Sequence, residues 1–188
     1  MYARRMAHPI DHPGEVDAAA GRLADRSGDA EPVTAGILVW AYVAGRQLDV
    51  WMSDALADTG LSTSDYGALA GVAFAGDRSM TAGDLAQWVV QTSGGTAKTL
   101  QRLVDRGLVR RIADPHDGRR TLVQPTTAGT RTASSVAADL VVRLDRDLGD
   151  LDGDSRNRLL TALRDLSVKL TGGDAADPPP AGQLPETP

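Results

Sequence analysis

The sequence predicts a mainly α-helical fold that carries one small antiparallel β-hairpin. Apolar residues recur at helical spacing in several separate stretches, of which residues 34–57 are the longest before the hairpin. Two short apolar and β-branched runs, 108–112 and 121–123, flank a segment at 114–120 that holds one proline, one glycine and two aspartates. Runs of this kind around such a segment are typical of a two- or three-stranded β-wing.

Length and composition favour one ordinary domain with extensions. The chain has 188 residues, of which 41% are hydrophobic, and it contains no cysteine, which excludes disulfides and thiolate metal sites. No apolar run approaches the roughly 18 residues that a membrane span needs, and the first residues are too polar for a secretory signal. The expected location is therefore the cytoplasm, without membrane association.

Composition also divides the chain. We predict a mostly disordered N-terminal arm with one weak amphipathic stretch, two sets of long helices, a compact lobe and a disordered Pro-rich tail. These segments are, in chain order, the arm at 1–33, the first long helix at 34–60, the lobe at 61–125, the later long helices at 126–171 and the tail at 172–188.

Capping residues mark the expected helix starts inside the lobe. Ser62 and Thr81 are each followed three residues later by an aspartate, as in a capping box, and Thr92 precedes a further helix. Gly107 is expected to end that helix in a left-handed conformation. The predicted helices are 34–57, 63–75, 82–89, 93–106, 127–148 and 154–171.

Positive charge is concentrated in one part of the chain. The formal net charge is -5, yet residues 92–131 hold eight Lys and Arg against three Asp, a local excess of five. Clustered cations, and not the total, indicate a surface for nucleic-acid phosphates.

The helix at 93–106 has the pattern of a DNA-recognition helix. Helical spacing predicts a polar face of Gly95, Lys98, Thr99 and Arg102, opposite an apolar stripe of Ala97, Leu100, Leu103 and Val104. Thr92 and Ser93 lie at its start, where free backbone N–H groups favour phosphate. Two helices followed by a basic hairpin predict a winged helix-turn-helix.

The motifs resemble those of the MarR family of bacterial transcriptional regulators. They lie at 80–86, 95–103, 106–111, 114–120 and 126–129, and the resemblance covers roughly residues 34–171. It implies a homodimer with intertwined terminal helices, a recognition helix in the major groove and a wing over the minor groove. It further implies a sequence-specific regulator, a repressor, that acts on a pseudo-palindromic operator in double-stranded DNA. The candidate DNA-binding residues are Thr92, Ser93, Gly95, Thr96, Lys98, Thr99, Arg102, Asp117, Arg119 and Arg120.

A crevice beside the lobe is a second candidate site. Its predicted lining of Trp40, Tyr66, Phe74 and Trp88 would suit a small phenolic or aromatic effector, although helical spacing favours a core role for such aromatics. His8 and His12 have i, i+4 spacing but lie among prolines in the predicted arm, and His116 stands alone at the wing tip, so we expect neither metal nor cofactor.

Catalysis has no support in the sequence, because no Ser/His/Asp cluster, P-loop or GxGxxG motif is present. We therefore expect a protein that is not an enzyme. Two alternative interpretations are a winged-helix protein-interaction module without specific DNA binding, and an enzyme that uses the aromatic crevice.

Overall fold

The computed structural model describes residues 12–76, 80–89, 92–115 and 117–172. Within them the chain forms seven α-helices and three β-strands, and the predicted fold class is confirmed. The elements are α1 (Pro13–Ala24), α2 (Pro32–Leu56), α3 (Thr63–Ala73), β1 (Met80–Thr81), α4 (Ala82–Trp88), α5 (Ser93–Asp105), β2 (Val109–Ala113), β3 (Thr121–Pro125), α6 (Thr127–Asp147) and α7 (Gly153–Leu170). No helix among the described residues is long and apolar enough to span a membrane.

The hydrogen bonds of the capping residues confirm the predicted helix starts inside the lobe. Ser62 Oγ accepts a hydrogen bond from the Asp65 N–H at 3.1 Å, and the Asp65 carboxylate accepts one from the Ser62 N–H at 3.3 Å. Thr81 and Asp84 form the same reciprocal box at the start of α4, and the Thr92 side chain caps α5. Each cap satisfies backbone donors that the first helical turn leaves without an intrahelical partner.

The three strands form one antiparallel sheet in the order β1-β3-β2. Arg111 and Met80 both lie opposite Val123, on its two sides, so β3 is the central strand. The hairpin of β2 and β3 matches the predicted wing. Pro125 ends β3 opposite Val109, a terminal position at which a residue without an N–H is tolerated.

The core of the lobe is built mainly from leucines. Leu56 of α2, Leu69 of α3, Leu85 of α4, and Leu100 and Leu103 of α5 are each at most 1% exposed and belong to one cluster. Every helix of the predicted helix-turn-helix thus contributes a side chain to the same core. This shared core fixes how α5 is presented to solvent.

The start of α6 is locked onto the turn between α5 and β2. The Thr126 hydroxyl donates to the Gly107 carbonyl at 2.7 Å and accepts from the Gly129 N–H at 3.0 Å. A Cβ built on Gly129 would lie only 1.9 Å from the Leu108 carbonyl oxygen. The motif at 126–129 therefore has a structural reason, since only glycine allows this close approach of two backbones.

The N-terminal arm differs from the prediction. Its residues Pro13–Ala24 form α1, which packs on α2, buries Val16 and Ala20, and receives a 2.8 Å hydrogen bond from Trp40 Nε1 at Asp17. The expected mostly disordered arm is wrong for this segment, because burial of one apolar face stabilises the weak amphipathic stretch. Residues 1–11, with His8, as well as His116 and the tail after Gly172, lie outside the described residues.

The chain divides into two compact units after Leu140, so that α6 begins in the first unit and ends in the second. In the second unit, Asp152 caps α7 and Arg156 bonds to the Asp145 carboxylate and, at 3.0 Å, to the Leu148 carbonyl. No residue of α7 is buried. Leu159, Leu160, Leu163 and Leu170 of this helix are exposed in the single chain, Leu163 by 56%.

Candidate nucleic-acid interface

Helix α5 has one face in the core and one face in solvent. Its buried residues are Thr96, Thr99, Leu100 and Leu103, at positions i, i+3, i+4 and i+7. Because successive residues of a helix are about 100° apart, the exposed face lies opposite these buried positions. It is centred on Gly94, Lys98, Gln101 and Asp105, with Ala97 at its edge.

The exposed face of α5 in the structure is therefore rotated about the helix axis from the polar face that the sequence predicted. The difference is about one residue, or about 100°. The prediction that Thr96 and Thr99 contact DNA is wrong, because their side chains are 1% and 2% exposed. Their hydroxyls have partners inside the protein: Thr96 Oγ1 donates to the Thr92 carbonyl, and Thr99 Oγ1 accepts from Arg102. Ala97, predicted as core, is exposed.

Gln101 is the functional candidate that the sequence analysis missed. It lies near the centre of the exposed face, and its Nε2 donates to Asp105 Oδ1 at 2.8 Å. The sequence did contain a pattern that could have identified it. The residues from Gly94 to Gln101 repeat the spacing of 3, 4 and 7 residues, one position before the set that was predicted as the polar face. Threonine fits either a polar or a buried face, so spacing alone did not decide between the two.

Arg102 is engaged with the protein. Its Nε and Nη2 donate to Asp65 Oδ1 at 2.9 and 2.6 Å, while half of its side chain remains exposed. Burial alone would raise the pKa of Asp65, but hydrogen bonds from Arg102 and Ser62 outweigh it and hold that pKa below its ordinary value. Asp65 thus links the start of α3 to the last turn of α5.

A second arginine fixes the end of α5. Arg106 donates to the Gly60 carbonyl at 2.7 Å and to the Thr59 carbonyl at 3.2 Å, both in the turn before α3. Gly60 has a φ of 66°, a left-handed conformation that favours glycine. Two cations counted in the positive cluster, Arg102 and Arg106, therefore also orient α5 through hydrogen bonds within the protein.

The start of α5 presents exposed polar groups. Thr92 and Ser93 are exposed, Gly95 is half-buried, and its N–H is used by the Thr92 cap at 3.2 Å. The remaining N–H groups of the first turn carry the positive end of the helix dipole, which favours an anion such as phosphate.

The wing tip is shaped by one aspartate. Asp117 Oδ1 accepts from the Arg119 N–H at 3.1 Å, and the Asp117 carbonyl accepts from the Arg120 N–H at 2.8 Å. Arg119 and Arg120 are exposed. Asp117 therefore holds the backbone turn from which both arginines extend.

Most of the residues predicted to line the aromatic crevice do not line a cleft in the structure. A cleft of about 690 Å³ lies among α2, α3 and the end of α4, and of the four predicted residues only Trp88 lines it. Tyr66 is core, and burial raises the pKa of its hydroxyl. Trp40 bonds to Asp17, and Phe74 is 55% exposed away from the cleft lining.

The cleft instead combines hydroxyl and apolar groups. Ser53, Ser62, Thr63 and Ser64 line it together with Asp49, Met52, Gly67, Trp88 and Val89. Gly71 admits the Trp88 ring, because a Cβ there would lie 2.6 Å from the indole Cδ1. The absence of one side chain on α3 thus sets the position of the Trp88 indole.

Comparison with known proteins confirms the resemblance. Residues 59–120 match the model of the MarR family. Similar solved structures include wild-type MarR from E. coli (20% identity, 68% of this chain and 93% of that chain, TM-score 0.60) and the transcriptional regulator SlyA (16%, 72% and 94%, 0.63). A mutant MarR from E. coli complexed with operator DNA is also similar (22%, 71% and 94%, 0.60). A comparison with curated protein sequences finds no match.

Proposed function

We propose that this chain, a winged-helix protein of the MarR type, is a DNA-binding transcriptional regulator. The main support for this proposal is that residues 59–120, which match the family model, expose the outer face of α5 and a wing with two arginines. The E. coli MarR mutant of the same fold is complexed with operator DNA. In this proposal α5 enters the major groove with Lys98, and Thr92 and Ser93 lie against phosphates.

The wing supplies a second contact. Arg119 and Arg120 extend from the turn that Asp117 holds, and such side chains are attracted to the negative potential of a narrow minor groove. This contact responds to groove width and not to base identity. Arg102 contributes indirectly, by orienting α5 through Asp65.

The active form in this proposal is a homodimer on a pseudo-palindromic operator. Helix α2 exposes apolar side chains at Val33, Ile37, Leu38 and Leu48, and in the other unit α7 exposes Leu159, Leu160 and Leu163. Long helices with such faces are typical of subunit interfaces. A two-fold dimer would read two half-sites about one helical turn of DNA apart.

We further assign repression to this dimer, with release by a small aromatic effector bound in the cleft at Trp88. An effector that binds better to a lobe spacing that mismatches the half-sites would lower operator affinity. Titration of aromatic compounds against Trp fluorescence, with Trp88→Phe as the matched variant, tests this part. A response that is the same in both proteins would contradict the cleft as the site.

Selection of bound sequences from random double-stranded DNA tests the regulator itself. We expect an enriched, two-fold symmetric motif that binds better than a scrambled fragment. With roughly 6–10 phosphate contacts, affinity should fall by about 10³–10⁵ between 50 and 200 mM salt. No enrichment and a flat salt response would instead support the protein-interaction module.

A further inference from the structure

We propose that Gln101, oriented by Asp105, reads an adenine in each half-site of the operator. This inference rests on the proposed function, in which α5 enters the major groove. It goes further because it names a specificity-determining side chain and the base that this side chain recognises.

The position of Gln101 suits contact with base edges. The buried residues Thr96, Thr99, Leu100 and Leu103 define the inner side of α5, and Gln101 lies nearly opposite their centre. It is eight residues after Ser93, which is about 12 Å along the helix axis. That length is comparable to the major-groove width of about 12 Å, so a helix entering by its start still carries Gln101 within the groove.

The chemistry of the side chain selects adenine. In the major groove adenine presents an acceptor at N7 and a donor at N6, and a glutamine amide matches both at once. The Gln101 Nε2 has two hydrogens, of which one is used by Asp105 Oδ1 at 2.8 Å. The second hydrogen and Oε1 remain for N7 and N6.

Asp105 supplies the orientation. Because a carboxylate only accepts, it holds the Nε2 end of the amide toward itself and disfavours the flipped orientation. The amide therefore reaches the groove with its donor and acceptor in a fixed order. Since Gln101 is the only amide side chain of α5, no other side chain of the helix offers this bidentate pattern.

The test compares the sequences selected from random DNA by the wild-type chain and by four single variants. In Gln101→Ala, discrimination for adenine at one position of each half-site should fall by about 5- to 150-fold, the range expected for one bidentate pair. Gln101→Glu should shift the preference there toward cytosine, whose N4 amino group donates. Asp105→Ala should weaken the adenine preference without moving it. Gln47→Ala, at an exposed glutamine of α2, is the matched control and should leave the motif unchanged.

The outcomes separate this inference from the proposed function. A wild-type motif that Gln101→Ala and Gln101→Glu leave unchanged at every position overturns the role of Gln101, while DNA regulation stands. Unchanged adenine preference in Asp105→Ala overturns the orienting role. A wild-type chain that enriches no motif overturns the proposed function and the inference with it.

Discussion

Arg102 donates two hydrogen bonds to a single oxygen of Asp65, 37 residues earlier in the chain. The carboxylate is almost completely buried, whereas half of the arginine side chain remains in solvent. The same carboxylate closes the capping box with Ser62. One side chain thus fixes both the start of α3 and the rotation of α5, on which the exposed face of α5 depends.

Replacing Asp65 by alanine should lower the free energy of unfolding by about 1–3 kcal/mol, since the variant has neither the cap nor the charge-assisted pair. The exposed half of Arg102 can be hydrated in the variant, which keeps the loss below the roughly 3–5 kcal/mol typical of a fully buried broken pair. Urea unfolding followed by circular dichroism measures the change. Asp58→Ala, at an exposed position, is the control and should stay within about 0.5 kcal/mol. Equal urea midpoints in both variants would contradict this role.

The same carboxylate predicts a dependence of stability on pH. The pKa of Asp65 is lowered from 3.8 in the folded chain, so its charged form stabilises the fold fully above that value. This contribution is lost as the pH falls below about 3.8 toward the lower folded pKa. We expect the urea midpoint to drop more between about pH 5 and pH 3 in the wild-type chain than in Asp65→Asn. An identical drop in both would show that Asp65 does not contribute.

Substitution by alanine should have opposite effects on stability at Gly129 and at Gly94. Gly129→Ala places a Cβ 1.9 Å from the Leu108 carbonyl oxygen, so α6 must shift, and we expect a loss of about 1–3 kcal/mol in unfolding free energy. Gly94→Ala meets nothing within 4 Å and should gain up to about 1 kcal/mol from helix propensity. Thermal unfolding of the two variants checks both signs. A stable Gly129→Ala protein would show that the two backbones do not need to approach so closely.

The local features of the fold were predictable from sequence. Capping boxes at Ser62 and Thr81 and the glycine after α5 depend on residues within a few positions of each other, and the structure has all three. The β-wing was predictable for the same reason, since its turn residues stand between its own strands.

The rotation of α5 and its long-range partners were not predictable in this way. Two sets of residues in α5, offset by one position, have the same helical spacing, so spacing does not decide which set is exposed. That depends on which side of α5 packs against Leu69 and Leu85 of the neighbouring helices. The Asp65–Arg102 pair is likewise set by the packing of α3 on α5 and has no local signal. Helix α1 is ordered because it packs on the apolar surface of α2. The sequence pattern of residues 1–33 alone does not reveal that surface.

Arg119→Ala separates a wing contact from a structural role. Because the Arg119 side chain is exposed and only its backbone N–H is used in the turn, stability should stay within about 0.5 kcal/mol of wild type. DNA affinity should fall, and the slope of its logarithm against log salt should decrease by about one for each phosphate that the variant no longer neutralises. Fluorescence anisotropy with the selected fragment measures both, with Arg26→Ala in the loop after α1 as the control. A variant that keeps the wild-type slope would remove Arg119 from the interface.

Leu163→Glu tests the homodimer. Leu163 is 56% exposed on α7, a helix with no buried residue, and a carboxylate placed in an apolar subunit interface would lose hydration without gaining a partner. We expect the wild-type chain to sediment as a dimer at micromolar concentration and the variant to shift toward monomer with loss of operator affinity. Asn157→Ala, near the start of the same helix, should keep the dimer. A wild-type monomer, or a variant that remains fully dimeric, would contradict an interface built on α7.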